Sequence, residues 1–333
     1  MSVFIIAEAG VNHNGSLLLA KQLVDVAVQA GADAVKFQTF KAQNLVTQSA
    51  QQAEYQTKNT GIKESQFEML KRLELDETAH RVLFDYCSQQ NIEFMSTPFD
   101  AESVELLHDL GMKRWKIPSG ELLSIPYLRQ IAAFNQTTIL STGMGNLEEV
   151  QFAVKTLVDE GLDLQNLTVL HANTAYPTPF KDVNLRAMQT LANTLKLSAG
   201  LSDHSSGIEV PIAAVAMGAS VIEKHFTLDR NLPGPDHKAS LEPDELKAMI
   251  RAIRNIELAL GSGEKAPSPS EQKNIAVARK RIVAACEIRK GERLTLQNLT
   301  LKRAESGVYA QYWDHLIGQK ALQSYQEGEG VTQ

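Results

Sequence analysis

Cysteine is almost missing from this sequence: Cys87 and Cys286 are the only two thiols in 333 residues. Two thiols so far apart make no disulfide framework, and a reduced, cytoplasmic protein is the expectation. Long hydrophobic runs are missing too. Eighteen consecutive apolar residues occur nowhere, so no segment reads as a membrane-spanning helix. The N-terminus has no basic stretch leading into an apolar run, so no signal peptide is expected. Basic blocks are absent and the net charge is −6, which argues against nucleic acid as a partner. An acidic chain can still hold an anionic substrate if it gathers a few cations and backbone donors locally.

What is present is a regular alternation. Short β-rich runs at 3–9, 34–39, 92–97, 114–118, 137–141, 167–172, 196–201 and 220–226 are each followed by a helical pattern. The first helix is expected to start after Ser16, a good N-cap, and to stop at Gly31. The fifth starts after Asn146 with Glu148 and Glu149 in its first turn. Its apolar stripe reads Leu147, Val150, Val154, Leu157 and Val158. Eight such units in about 260 residues are the size of an α/β (β/α)8 TIM barrel over 1–262. A doubly wound open sheet is the alternative, lowered because no GxGxxG follows the first strand. Between the second strand and the next clear helix, 41–72 form a long connection, polar over 51–66, which reads as a lid or as a surface insertion. The composition of 263–275 is that of a linker. Residues 276–333 form a small β-rich unit. Within it Ala284–Thr295 (AACEIRKGERLT) and Ala321–Thr332 (ALQSYQEGEGVT) are weakly alike, suggesting two hairpin-like halves with pseudo-two-fold symmetry.

A barrel of this kind builds its site at the C-terminal ends of its strands. The polar residues expected there are Glu8, Lys36, Gln38, Ser96, Thr97, Lys116, Ser119, Glu121, Ser141, Tyr176, His204 and His225. Strand alternation turns Lys36, Gln38 and Lys116 toward the barrel axis, and on the last strand Glu223, His225 and Thr227. Two inward lysines beside serine and threonine hydroxyls predict a bound phosphate or carboxylate, because a buried ammonium needs an anion. An internal ion pair with Glu8 or Glu121 answers the same pattern. His204 and His225 end consecutive strands and could converge on one Lewis-acid metal such as Mn²⁺ or Zn²⁺. Two separate histidines, each hydrogen-bonded at the rim, compete with that reading. For His13, His171 and His237 rim hydrogen bonding is the expectation. Glu8 and Glu121 are candidate acid/base groups or counter-charges for the lysines. Tyr176 precedes a Pro-Thr-Pro turn and reads either as part of a stiff loop over the site or as rim packing.

At these residues the chain resembles the N-acetylneuraminate (sialic acid) synthase family, with its relatives that make legionaminic and pseudaminic acids. The matching segments are AEAGVNHNG (7–15), VKFQTF (35–40), STPFD (96–100), WKIPSGE (115–121), STGM (141–144), YPTP (176–179), SDHSSG (202–207), EKHFTLDR (223–230) and GPDHKAS (234–240). The terminal unit is similar to the family's antifreeze-like (SAF) domain. The resemblance implies a transferase that joins phosphoenolpyruvate to N-acetylmannosamine and water, releasing phosphate. Its runner-up is an N,N'-diacetyllegionaminic acid synthase acting on 2,4-diacetamido-2,4,6-trideoxymannose. By motif position, Lys36, Gln38, Thr97, Lys116, Ser119 and Ser141 would hold phosphoenolpyruvate. His204 and His225 would bind a divalent metal, Mn²⁺ first, with Mg²⁺ or Co²⁺ as alternatives. Glu121 would position or deprotonate the attacking water, and Glu8, Tyr176 and Asp236 would contact the sugar or the metal-bound water. Arg303 would reach the sugar's N-acetyl group in the partner subunit's site, which implies a domain-swapped homodimer. The chain departs from the family at KRAESG (302–307), where members usually carry Lys-Arg-Pro-Gly-Asn-Gly, and at Thr174, where some carry Asn. Two readings from other classes stand beside this one. A Schiff-base aldolase would use Lys36 or Lys116 as nucleophile. A sugar- or anion-binding protein would bind without turnover.

Overall fold

The alternation of strands and helices is realised as eight parallel strands. They are β1 (Phe4–Gly10), β2 (Ala34–Thr39), β3 (Glu93–Pro98), β4 (Arg114–Ile117), β5 (Thr137–Ser141), β6 (Leu167–Ala172), β7 (Ser198–Asp203) and β8 (Val221–His225). The computed structural model describes residues 2–52, 56, 57 and 63–332. Their order is β3-β2-β1-β8-β7-β6-β5-β4. The first strand pairs with the last, Phe4 opposite Val221 through Glu8 opposite His225. That pairing bends the sheet into a near-closed barrel and rules out the open doubly wound alternative. The seam lies between β3 and β4. There Arg114 Nε donates to Glu93 Oε1 at 2.9 Å, and the Ser96 amide approaches Met112 Sδ at 3.3 Å.

The helices are α1 (Leu17–Ala30), α2 (Gln66–Leu73), α3 (Glu77–Gln89), α4 (Ala101–Asp109), α5 (Ile125–Ala132), α6 (Leu147–Asp159), α7 (Arg186–Leu195), α8 (Glu209–Ala216) and α9 (Pro243–Leu260). Ser16 caps α1 by accepting from the Leu19 amide, and Gly31 follows its end in the left-handed region. Asn146 and Glu149 form a reciprocal capping box on α6. The buried face of α6 is narrower than its sequence pattern suggests. Val150, Ala153, Val154 and Leu157 are buried, whereas Leu147 and Val158 are exposed, because the stripe drifts off the contact line at both ends. The polar segment 51–66 lies partly outside the described residues.

The interior of the barrel is layered. Ile6, Ala34, Met95, Ile139, Leu170 and Val221 form an apolar plug, with Phe4 packed against it. Two residues further along five of those strands, on the same inward face, come Glu8, Lys36, Thr97, Ser141 and Glu223. Alternation therefore stacks a charged layer directly above an oily one. Gly200 on β7 makes room for the plug, since a Cβ there would lie 2.2 Å from the Val221 carbonyl oxygen and 2.8 Å from Leu170 Cδ2.

The chain divides into two units, Met1–Gly261 and Ser262–Gln333. Where a linker to residue 275 is expected, the helix α10 (Gln272–Ala278) already begins. The second unit contains an antiparallel pair, β9 (Arg281–Ala284) with β10 (Leu299–Lys302). Its two similar segments do not form two separate hairpins; they pair with each other. Ile288 and Tyr325 occupy the same position in the two repeats and exchange both backbone hydrogen bonds, at 2.9 and 2.8 Å. Equivalent turns follow. Glu292 accepts from the Arg289 amide at 3.0 Å, and Glu329 from the Gln326 amide at 2.9 Å. A pseudo-two-fold axis thus runs between Ile288 and Tyr325.

Gly200→Ala forces a methyl against the backbone of β8. Overpacking of this kind costs about 2 kcal/mol. Thermal unfolding of the variant is expected roughly 5 °C below the parent, and a calorimetric midpoint unchanged from the parent's would contradict the close approach.

Candidate active site

A cavity of about 510 Å³ opens at the C-terminal ends of the strands. Glu8, Lys36, Gln38, Thr97, Lys116, Ser119, Ser141, Tyr176, His204 and His225 all line it. The two lysines and two imidazoles are thus at one mouth. Ser202, Glu223 and Thr174 line it as well.

Its floor is an ion cluster. Lys36 Nζ lies 2.8 Å from Glu8 Oε2 and 3.6 Å from Glu223 Oε2, and donates to Thr97 Oγ1 at 2.8 Å. Lys116 Nζ donates to Glu223 Oε1 at 2.9 Å, and Ser202 Oγ donates to the same oxygen at 3.0 Å. All four charged side chains are at most 4% exposed. The ion pair expected for Lys36 with Glu8 is present. For Lys116 the partner is Glu223 rather than Glu121. Burial alone would raise Glu223, but Lys116 and Lys36 overcome it and hold the carboxyl well below its usual range. Burial would lower Lys36, yet Glu223 and Glu8 leave it above its ordinary value. Lys116 stays lowered by burial, only partly offset by Glu223, with Lys36 pushing the same way. Burial carries Glu8 up to about 7 against the pull of Lys36, with Glu223 adding to the rise. Glu223 is thus the firmly ionised counter-charge, and Glu8 is the member that exchanges its proton near neutrality.

The imidazoles sit beside this cluster. His204 Nδ1 donates to the Asn173 carbonyl at 2.5 Å, which leaves Nε2 with its lone pair. Burial lowers His204 to about 4 and His225 well below its ordinary value, so both rings are neutral at pH 7. His225 Nδ1 is buried without a partner. The ring centroids are 5.4 Å apart, and the Tyr176 ring lies 4.1 Å from His204. Gly10, in the left-handed region, keeps room beside His225 and Glu8. A Cβ there would come within 3.4 Å of His225, Gln38 and Glu8 atoms. Two neutral nitrogen donors, one orphaned, fit a divalent cation. Among the described residues no group of three His, Cys, Asp or Glu side chains is gathered as a metal set, so the other positions would fall to water or substrate oxygens.

The remaining cavity groups are hydroxyls and amides. Ser141 Oγ is buried and unpartnered, while Ser119 Oγ accepts from the Gly143 amide at 2.9 Å. Gln38 Nε2 reaches Glu8 Oε1 at 3.5 Å. Four expected residues lie elsewhere. Ser96 faces the helices, bonded to Thr39 Oγ1 at 2.6 Å, which in turn meets His80 Nε2 at 2.8 Å. Glu121 is in a 3₁₀ turn (Ser119–Glu121) beyond the end of β4 and lines a neighbouring pocket with Asp100 and Tyr127. Asp236 is buried ahead of the turn His237–Ala239, and burial raises its carboxyl to about 6. Arg303 is exposed in the second unit, just after β10. His171, His237 and His13 are partnered within the protein. His171 Nε2 meets the Val183 carbonyl at 2.6 Å, and His237 Nδ1 meets Thr227 Oγ1 at 2.6 Å. His13 Nδ1 accepts from the Gly15 amide at 3.0 Å, but the ring is fully buried rather than at the rim.

Glu223 and Ser202 were absent from the candidate set. Alternation already turned Glu223 inward, and Ser202 shares the parity of His204, so the signal was there.

Known proteins resemble this chain along nearly its whole length. The chain is 53% identical over 329 residues to the N,N'-diacetyllegionaminic acid synthase of Campylobacter jejuni, covering 99% of this chain and 98% of that protein. It is 48% identical to the enzyme of the same name from Legionella pneumophila, covering 98% and 93%. The crystal structure of an N-acetylneuraminic acid synthetase from Leptospira borgpetersenii superposes with a TM-score of 0.72 at 35% identity, covering 83% of this chain and 90% of that one. A SAF domain model matches residues 279–333. The model of the NeuB family matches residues 23–265, and the chain belongs to that family.

Proposed function

We propose that this protein condenses phosphoenolpyruvate with an N-acylated amino-sugar aldehyde and water, giving a nine-carbon 2-keto acid and phosphate. The observation that carries this reading is the meeting of two buried lysines and two neutral imidazoles around one cavity. Lys36 and Lys116 would hold the phosphate and carboxylate charges, with Thr97, Ser119 and Ser141 as hydroxyl partners. The unpartnered, buried Ser141 hydroxyl is a donor awaiting an acceptor.

For the acceptor we favour 2,4-diacetamido-2,4,6-trideoxymannose over N-acetylmannosamine. Motifs alone put N-acetylmannosamine first. The two relatives named for legionaminic acid are more similar to this chain than the sialic acid synthetase, and that reverses the order.

In the reaction the double bond of phosphoenolpyruvate supplies the electrons for the new C–C bond to the aldehyde carbon. Carbon 2 becomes electron-poor, water adds there, and phosphate leaves as the C–O bond breaks. A divalent cation held by His204 and His225, Mn²⁺ first, would supply Lewis acidity to the aldehyde oxygen. Glu8, which exchanges its proton near neutrality, would give that proton to the same oxygen as it becomes a hydroxyl. Tyr176, its ring tilted against His204, would press the sugar toward the metal. Arg303 would bind an N-acyl group in the site of a partner copy, the arrangement of a domain-swapped homodimer.

Phosphate release from phosphoenolpyruvate is expected with both sugars, with kcat/KM at least tenfold higher for the diacetamido sugar. Equal or reversed values would return the acceptor to the sialic series. His225→Ala should lower kcat by about 10²-fold or more and abolish stimulation by Mn²⁺; full activity in metal-free buffer would remove the metal from the mechanism. Glu8→Gln tests the raised carboxyl. A folded value above the unfolded one stabilises fully below pH 4.5 and is lost as pH rises through about 7. The unfolding midpoint of Glu8→Gln should therefore gain on the parent between pH 5 and 8, and a constant difference across that range would refute the assignment.

A further inference from the structure

We propose that Lys224 is a positioning residue for His204, acting from the side of the barrel wall that faces away from the cavity. This rests on the proposed role of His204 in holding a metal.

Alternation on β8 sends Glu223 and His225 inward and Lys224 outward, and on β7 it sends Ser202 inward and Asp203 outward. Asp203 and Lys224 are register partners across the two strand ends. Lys224 Nζ donates to Asp203 Oδ2 at 2.5 Å and to the Ser205 carbonyl at 2.5 Å. Asp203 Oδ1 also accepts from the Ser205 amide at 3.0 Å. One ammonium therefore grips the residue before His204 and the residue after it. The Lys224 side chain is 0% exposed and does not line the cavity.

The inward side of the same turn has its own restraint. The His204 carbonyl accepts from the Thr178 amide at 2.8 Å, and His204 Nδ1 donates to the Asn173 carbonyl. Those contacts fix the ring only if the turn itself stays put. Past Asp203 the ladder between β7 and β8 ends, and on that side only the isolated bridge of Thr178 with Ser205 holds the backbone around His204. The Lys224 clamp extends the β7–β8 connection past its last register pair and ties the two imidazole-bearing strand ends to each other.

A buried ion pair is poorly suited to explain stability, since its desolvation offsets much of its attraction; a geometric role fits it better. That separates the two roles by experiment. The double variant Lys224→Met/Asp203→Asn removes both charges together and leaves no buried ion unpaired. Its unfolding midpoint is expected within a few degrees of the parent's. Its apparent Kd for Mn²⁺, read from the free-ion EPR signal, is expected to rise tenfold or more. In metal-free protein, the ¹⁵N signals of His204 should lose the single Nδ1–H tautomer seen in the parent. A folded double variant with parental Mn²⁺ affinity and a parental His204 tautomer overturns the proposal. If the parent itself binds no Mn²⁺, the metal reading fails, and the tautomer signal alone decides the role of Lys224. If the double variant does not fold, Lys224→Gln, which keeps a donor but no charge, takes its place: a shift of the same two readouts supports the clamp, and parental values overturn it.

Discussion

Two ammonium groups, Lys36 and Lys116, sit in the middle of a protein barrel within reach of the same carboxylate, and the architecture around them follows from making that tolerable. An ammonium is stable in such a place only with a counter-charge and a full set of acceptors. Glu223 serves both lysines at once, one through each oxygen, while Ser202 donates to the oxygen that faces Lys116 and Thr97 accepts from Lys36. Below this layer the barrel is filled with aliphatic side chains, which excludes water from one side and strengthens each charge interaction above. Above it lies the cavity. An anion entering there meets cations that are already oriented and already stripped of water, so little rearrangement is needed when it binds.

The division of labour between the two glutamates follows from their neighbours. Glu223 faces both ammonium groups and stays charged. Glu8 touches one of them and shares the site with Glu223, so it hovers between its two forms. Two carboxyls of the same chemistry are thus set apart by position, one as a fixed charge and one as a proton reservoir. The neutral imidazoles complete the set: burial keeps protons off nitrogens that a metal would need.

Much of this was legible in the sequence, because alternation is a local rule. It turns Lys36, Gln38, Lys116, Glu223 and His225 inward, and eight strand–helix units imply the barrel. What it could not supply was pairing across the barrel. Lys116 and Glu223 are 107 residues apart, and nothing local tells which of several acids a lysine will meet. Alternation also stops where a strand stops. Glu121 follows β4 through a 3₁₀ turn that resets which way each side chain points, and Asp236 lies in an irregular loop. Ser96 was misplaced for the opposite reason: it is still within β3, where the parity rule would have turned it away from Thr97. In the terminal unit the repeat was visible as similar words, but words do not tell whether two halves lie side by side or interlock.

That interlocking has a consequence for how the small unit came to tolerate its own symmetry. Ile288 and Tyr325 meet at the axis, both wholly enclosed. A perfectly duplicated segment would place two identical side chains there, where one phenol ring and one branched aliphatic chain now share the core. At the centre the halves are therefore alike in backbone but unlike in bulk, a ring set against a branched chain.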